Sequence, residues 1–221
     1  HNNHGWIEGV NDGAIAAVQE GDLNTLILRP ETISPDTIQQ LLEERPEGVV
    51  IPDIVKFSRD KFEALINPFV AAKIPVAAFC AAFETPTVDC VKSDHENGSY
   101  QLTQYLLKQG RKRILRMVKQ NTQSLLWVQE RQHGYERAMH EAGIEPLPPL
   151  EMPDSDLAIT SYGEERVNRL SRFCLGYLYN LVSQVDAIMT ISDGDIPFVA
   201  KAIKMLGRDP ANDLLLTGYD N

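Results

Sequence analysis

Short apolar runs alternate with amphipathic stretches along almost the whole chain. The runs lie at Thr25–Leu28, Gly48–Ile51, Pro75–Phe79, Thr87–Val91, Arg113–Val118, Asp186–Ile191 and Leu214–Thr217. Between them, apolar residues recur at helical spacing over Trp6–Glu20, Pro35–Glu44, Arg59–Lys73, Asn97–Gln109, Leu125–Ala142, Glu164–Val182 and Asp195–Leu206. A strand covered on both faces reads as an unbroken apolar run, because neither face meets water, whereas a helix packed on one side repeats with the period of its turn. Strands and helices in alternation predict parallel sheets with right-handed crossovers, and so an α/β fold of two doubly wound parallel-sheet lobes. Glu145–Ile159 breaks the pattern with Pro146, Pro148, Pro149 and Pro153. Those prolines exclude a helix and predict an extended segment or an edge strand.

The clearest β-α-β unit is the last one. Asp186 leads the run Ala187–Ile191, which stops at Ser192, Asp193 and Gly194; a helix pattern follows to Leu206, and Gly207, Asp209 and Pro210 precede Leu214–Leu216. Open parallel sheets bind ligands at the carboxyl ends of their strands. Both strands of this unit deliver an aspartate there, Asp193 and Asp220. The plainer use of such a residue is to cap the next helix, and Asp193 or Asp195 suits that role equally.

Composition narrows the function. The 221 residues, 24% charged and 43% apolar, suit a soluble globular protein able to bury a sizeable core. A net charge of −10 argues against a direct grip on a nucleic-acid backbone, which requires clustered Lys and Arg. The one basic concentration, Lys108, Arg111, Lys112, Arg113, Arg116 and Lys119, reads as a helix C-terminus followed by a solvated strand start. Cys80, Cys90 and Cys174 are scattered and odd in number, which suits buried thiols in a reducing compartment. No stretch approaches a membrane span and no charged-then-apolar leader opens the chain, so a cytoplasmic location without a membrane partner is expected.

Catalytic and cofactor motifs are missing from the sequence. There is no G-x-G-x-x-G after a strand, no G-x-x-x-x-G-K-[ST] and no G-x-S-x-G. His133 and His140 lie seven residues apart, too far for two ligands of one metal, and a solvated or capping role is expected for them and for His95. Gly5, Gly9 and Gly13 form a smooth stripe, read as close packing of the first helix on its sheet. No enzyme activity, cofactor or metal is therefore expected. Residue types suited to a polyol are present instead. Ionised Asp and planar Arg pair bidentately with vicinal hydroxyls, and aromatic rings cover a sugar's apolar face. Asp193, Asp220, Arg131 and Trp127 fit those roles, and Asp53 and Phe79 follow strands in the first lobe. Trp127 is equally suited to a core position on an amphipathic helix.

Three passages in order carry a family resemblance. They are VKSDHENGSYQLTQYLLKQGRKRI from Val91 to Ile114, ERQHGYERAMHEAGI with Arg131, Gly134 and Tyr135, and the final β-α-β unit ending in GYDN. Together they resemble the effector-binding domain of LacI-type transcriptional regulators, which has the fold of type I periplasmic sugar-binding proteins. The resemblance implies that Asp220 and Arg131 contact the effector, with Ser192 as the small polar residue at the preceding strand end. Asn97 is a further polar contact on the same grounds, with Asp94 as its rival for a strand-end or capping role. It also implies an inter-lobe crossover at Val88–Asp94, hence lobes of residues 1–92 and 93–221, with an effector bound between them. His4–Gly21 departs from the family in starting directly in a helix pattern, and by the resemblance the chain looks truncated at both ends. The expected partners are a small-molecule effector, a second copy of the chain as a homodimer, and operator DNA through a helix-turn-helix domain outside this chain. The alternative implied by the same fold is a periplasmic sugar-binding protein of a transporter or chemoreceptor.

Overall fold

The computed structural model describes residues 5–28, 33–52, 58–79, 83, 86–153 and 163–219, with backbone alone for residues 5–8. The chain divides into two compact units, His1–Ser93 and Asp94–Asn221.

In the first unit, helices α1 (Gly5–Glu20), α2 (Pro35–Glu44) and α3 (Arg59–Ala71) alternate with strands β1 (Val49–Ile51), β2 (Val76–Phe79) and β3 (Asp89–Val91). The strands form one parallel sheet in the order β1-β2-β3, with Val49 opposite Val76 and Ala77 opposite Asp89. Sequence signals fix the helix starts. Ser34 caps α2 by accepting the Thr37 N–H at 3.1 Å just before Pro35, and Ser58 caps α3. Helix α3 buries Phe62, Ile66 and Phe69, a single helical face.

Three expectations fail in this unit. Thr25–Leu28 forms no strand, and Leu26 and Ile27 stay exposed. An apolar run becomes a strand only where another strand's edge takes up its N–H and C=O groups, and among the described residues none does. The glycine stripe is not a packing face, since a Cβ at Gly9 or Gly13 would meet nothing within 4 Å. Cys90, expected to be buried, lies exposed on β3, all of whose residues are exposed. Cys80 lies outside the described residues.

The second unit holds α4 (His95–Lys108), β4 (Ile114–Lys119), α5 (Leu126–Glu141), β5 (Leu150–Met152), α6 (Gly163–Leu178), β6 (Ala187–Met189), α7 (Ile196–Met205) and β7 (Leu215–Thr217). Its parallel sheet runs β5-β4-β6-β7. Strand β5 arises in the proline-rich segment and takes the edge, where a missing N–H costs least. Side chains alternate across the sheet. Leu115, Met117 and Ile188 join the core shared with α6 and α7, while Ile114, Ala187 and Met189 join the core under α4 and α5. The result is a three-layer α/β/α unit with β4 and β6 at its centre.

Hydrogen bonds tie these layers together. The Asp186 carboxylate accepts the Lys112 and Arg113 N–H groups at 2.9 Å each, fixing the start of β4 beside β6. Tyr135 is fully buried; its hydroxyl donates to the Ile114 carbonyl at 2.8 Å and accepts the Leu147 N–H at 3.0 Å. Satisfying both groups at once avoids the 1–3 kcal/mol, roughly, that each would cost if left unpaired. Arg111 reaches the carbonyls of Asn212 and Asp213, in keeping with an exposed basic cluster. Arg116 does not fit that reading, being only 5% exposed. The side-chain alternation along β4 turns it toward α5, where it stands 5.8 Å from the Tyr135 ring centre.

Candidate functional site

The carboxyl ends of β4 and β6 and the first turns of α4 and α5 converge on Arg131. Helix α5 carries this arginine on its inner face with Val128, Tyr135 and Ala138, and leaves it 8% exposed. A guanidinium so buried needs acceptors and polarisable neighbours. Its Nη1 donates to the Ile191 carbonyl at 3.0 Å and its Nε to His95 Nδ1 at 3.4 Å. Two aromatic rings flank it, Tyr219 with its centre 3.5 Å away and Trp127 at 4.7 Å. Cation–π contacts of this kind contribute about 2 kcal/mol when desolvated. The arginine is thereby held in one orientation.

The surrounding residues support that orientation. Ser99 donates to the Arg131 carbonyl at 2.7 Å, joining α4 to α5. His95 is buried, with its ring 5.7 Å from that of Tyr219 and 6.3 Å from that of Trp127. The expected solvated or capping role of His95 is thus replaced by a packed one; Asp94 does the capping, accepting the Asn97 N–H at 3.0 Å. Gly98 leaves room for Tyr219, whose hydroxyl would lie 2.1 Å from a Cβ there. The Thr190 N–H donates to the Thr217 carbonyl at 2.8 Å and its hydroxyl to the Ser192 carbonyl at 2.9 Å, pinning the ends of β6 and β7.

The sequence-predicted residues divide as follows. Arg131 and Trp127 come together, and Ser192 and Asp193 lie just beyond the Ile191 carbonyl that Arg131 uses. Ser192 precedes a 3-10 turn, Asp193–Asp195, and its N–H donates to Asp195 Oδ2 at 3.1 Å. Asp193 donates its own N–H to the Tyr219 carbonyl at 2.8 Å, and its carboxylate stands against Gly218. Ser192 is thus the N-cap of this turn and Asp195 its capping-box partner, while Asp195 makes no side-chain cap to the helix that follows. Burial raises the Asp195 pKa, against hydrogen bonds from Ser192 and the charges of Lys119 and Arg166, which lower it. Asn97 is exposed on the first turn of α4. Phe79 ends β2 in the first unit. Asp53 and Asp220 lie outside the described residues.

Three residues join this site without having been singled out for it: His95, Tyr219 and Arg116. Tyr219 had a signal, its place in GYDN. Arg116 had another, a charge inside the apolar run ILRMV. Arg116, Lys119, Trp127, Arg131 and Tyr219 line a cavity of about 20 Å³. Among the described residues no cluster of His, Cys, Asp and Glu could hold a metal ion, and no helix is long and apolar enough to cross a membrane.

Parallel α/β units with a polar site at the carboxyl ends of their strands define a ligand-binding class of fold. The family described as periplasmic binding proteins and sugar binding domain of LacI family matches residues 2–169, and the chain belongs to it. Solved structures share the type I periplasmic binding protein-like fold. A LacI family transcriptional regulator from Silicibacter pomeroyi is 20% identical, with a TM-score of 0.68 over 100% of this chain and 77% of that one. The Escherichia coli transcriptional repressor ascG is 18% identical, with a TM-score of 0.69 over 99% and 75%. The binding protein of the arabinose ABC transporter from Shewanella sp. ANA-3, solved with arabinofuranose, is 15% identical, with a TM-score of 0.67 over 96% and 68%. No curated protein sequence matches the chain.

Proposed function

We propose that this chain is the ligand-sensing domain of a LacI-type DNA-binding transcriptional regulator and takes a small polar effector, a sugar or related metabolite. The observation that carries the reading is Arg131: a buried guanidinium, fixed by a carbonyl and two aromatic rings at the carboxyl ends of parallel strands, in a chain of this family. Arg131 offers a planar donor array to vicinal hydroxyls, Trp127 offers an apolar face, and Asp220 and Asp193 are the proposed acceptors, with Ser192 and Asn97 beside them. Asp53 and Phe79 are proposed contacts from the first unit. The role is binding rather than catalysis.

Regulation then follows from differential affinity. An effector that binds one conformation more tightly shifts the population toward it, by no more than that difference in free energy. DNA is met through a helix-turn-helix domain outside this chain, in a cytoplasmic homodimer. A second reading, a periplasmic binding protein serving a transporter or chemoreceptor, is favoured by the likeness to the arabinose-binding structure. The coding sequence upstream of His1 separates the two: a helix-turn-helix favours the regulator, and a leader with a lipid-attachment Cys favours transport.

A thermal-shift screen of sugars and related polar metabolites tests the binding role, followed by Arg131→Ala and Asp220→Ala. We expect a stabilising ligand whose affinity falls at least tenfold in each variant, the worth of one to two charge-assisted hydrogen bonds. Unchanged binding in both variants would refute the site.

A further inference from the structure

Arg116 occupies the middle of β4, whose residues Ile114 to Val118 are all buried. A charge there is costly unless compensated, and a well-packed apolar residue of similar size would serve stability at least as well. Its direct contacts within the protein are neutral, since Nη1 donates to Gln132 Oε1 and the guanidinium stands over the Tyr135 ring, and the charge of Glu136 offsets part of the burial from one step further out. The acidic Glu136 is one step away, accepting from the Gln132 amide. Burial pulls the Arg116 pKa down to about 10, and the neighbouring Arg131 charge pulls in the same direction. Two cations thus lie close together in a low-dielectric layer.

Both of them line the cavity described above, together with Lys119, whose charge also acts on Asp195. Among the described residues, no Asp or Glu lines it. Three cationic side chains around one cavity, in a chain of net charge −10, form a local positive site against an acidic background. The enclosed part of the cavity, about 20 Å³, has room for one water-sized group. An oxygen of a terminal carboxylate or phosphate has the right size and charge, and guanidinium groups match both anions in geometry.

We infer that the ligand of this site carries an anionic group, a carboxylate or a phosphate, whose oxygen enters the cavity between Arg116 and Arg131. This rests on the reading that Arg131 meets a small polar ligand. The sugar portion of the ligand stays outside the cavity, against Trp127, and Arg116 selects for charge.

Calorimetric titration of the intact protein with matched panels tests the inference: D-glucose, D-glucuronate and D-glucose 6-phosphate, with the corresponding galactose series. In at least one series an acid or phosphate ester is expected to bind tenfold or more tightly than the neutral parent, and the two arms identify which anion is taken. Arg116→Gln is expected to remove that preference, so that acid and neutral parent bind within about threefold of each other, and Arg116→Lys to keep part of it. Should Arg116→Gln fail to fold, displacement of the bound acid by inorganic phosphate from the wild-type protein reports the same property, and no displacement contradicts it. Neutral sugars binding as tightly as their acids, or a preference that survives Arg116→Gln, would overturn the inference and leave the sugar-sensing reading intact. Absence of binding by every compound would overturn the inference, and the sugar-sensing reading falls with it only if the wider thermal-shift screen also finds no ligand.

Discussion

Within helix α5, Arg131, Gly134 and Tyr135 do three different jobs. Arg131 points into the site, Tyr135 ties β4 to the segment at Leu147, and Gly134 lets α5 cross α4 in contact. A Cβ at Gly134 would lie 2.0 Å from the Glu96 carbonyl oxygen and 2.9 Å from the Tyr100 nitrogen, both backbone atoms that cannot rotate aside. Alanine is the better helix former by about 0.5–1 kcal/mol, but forcing two helices apart costs about 1–3 kcal/mol or more. Gly134→Ala is therefore expected to destabilise the protein by at least about 1 kcal/mol in urea denaturation, and to weaken ligand binding because Ser99 holds Arg131 across the same crossing. Equal or greater stability of the variant would contradict this. Arg131 was singled out by the family resemblance, through the passage it shares with Gly134 and Tyr135. His95 was not, since a histidine one residue after a capping Asp reads as solvated, and only the arrival of Trp127 and Tyr219 from distant segments buries it.

At the scale of elements, apolar runs translated into strands wherever a partner strand exists. β1, β2, β4, β6 and β7 all fall within predicted runs or one residue beyond them, and β3 at the end of one. Thr25–Leu28 has the same composition but no pairing edge among the described residues, and pairing is a property of the sheet rather than of the run. Capping was partly legible: Asp94 was named as a candidate and accepts the Asn97 N–H, whereas Asp195, named as a cap for the next helix, instead accepts the Ser192 N–H within the 3-10 turn. The 3-10 turn after β6 carries a pH signature. Burial raises the Asp195 pKa above the ordinary range near 4, so the folded state holds the proton more tightly than the unfolded chain does. That contribution is fully present below the ordinary Asp pKa and is lost as pH rises through the raised one. Asp195→Asn keeps an acceptor for the Ser192 N–H and removes the titration. Across that window its stability is expected to gain on the wild type as pH rises, in urea unfolding measured at a series of pH values. A constant difference, or one of opposite slope, would contradict the assignment.

For the whole molecule, charge and family combine into a consistent account. An acidic chain without catalytic motifs folds into two parallel α/β units, and the second gathers its buried arginines, Arg116 and Arg131, around one cavity. The doubly wound class was readable from alternation alone, because buried parallel strands and one-sided helices have different periods. The site was readable only in part: residue types and motif order pointed to Arg131 and Trp127, whereas the cavity that joins them to Arg116 depends on packing between segments far apart in the chain. The most direct measurement is a crystal structure of the protein with the ligand identified by screening. The account predicts ligand density within hydrogen-bonding distance of the Arg131 guanidinium and against the Trp127 ring. Density at any other place, with both side chains untouched, would contradict it.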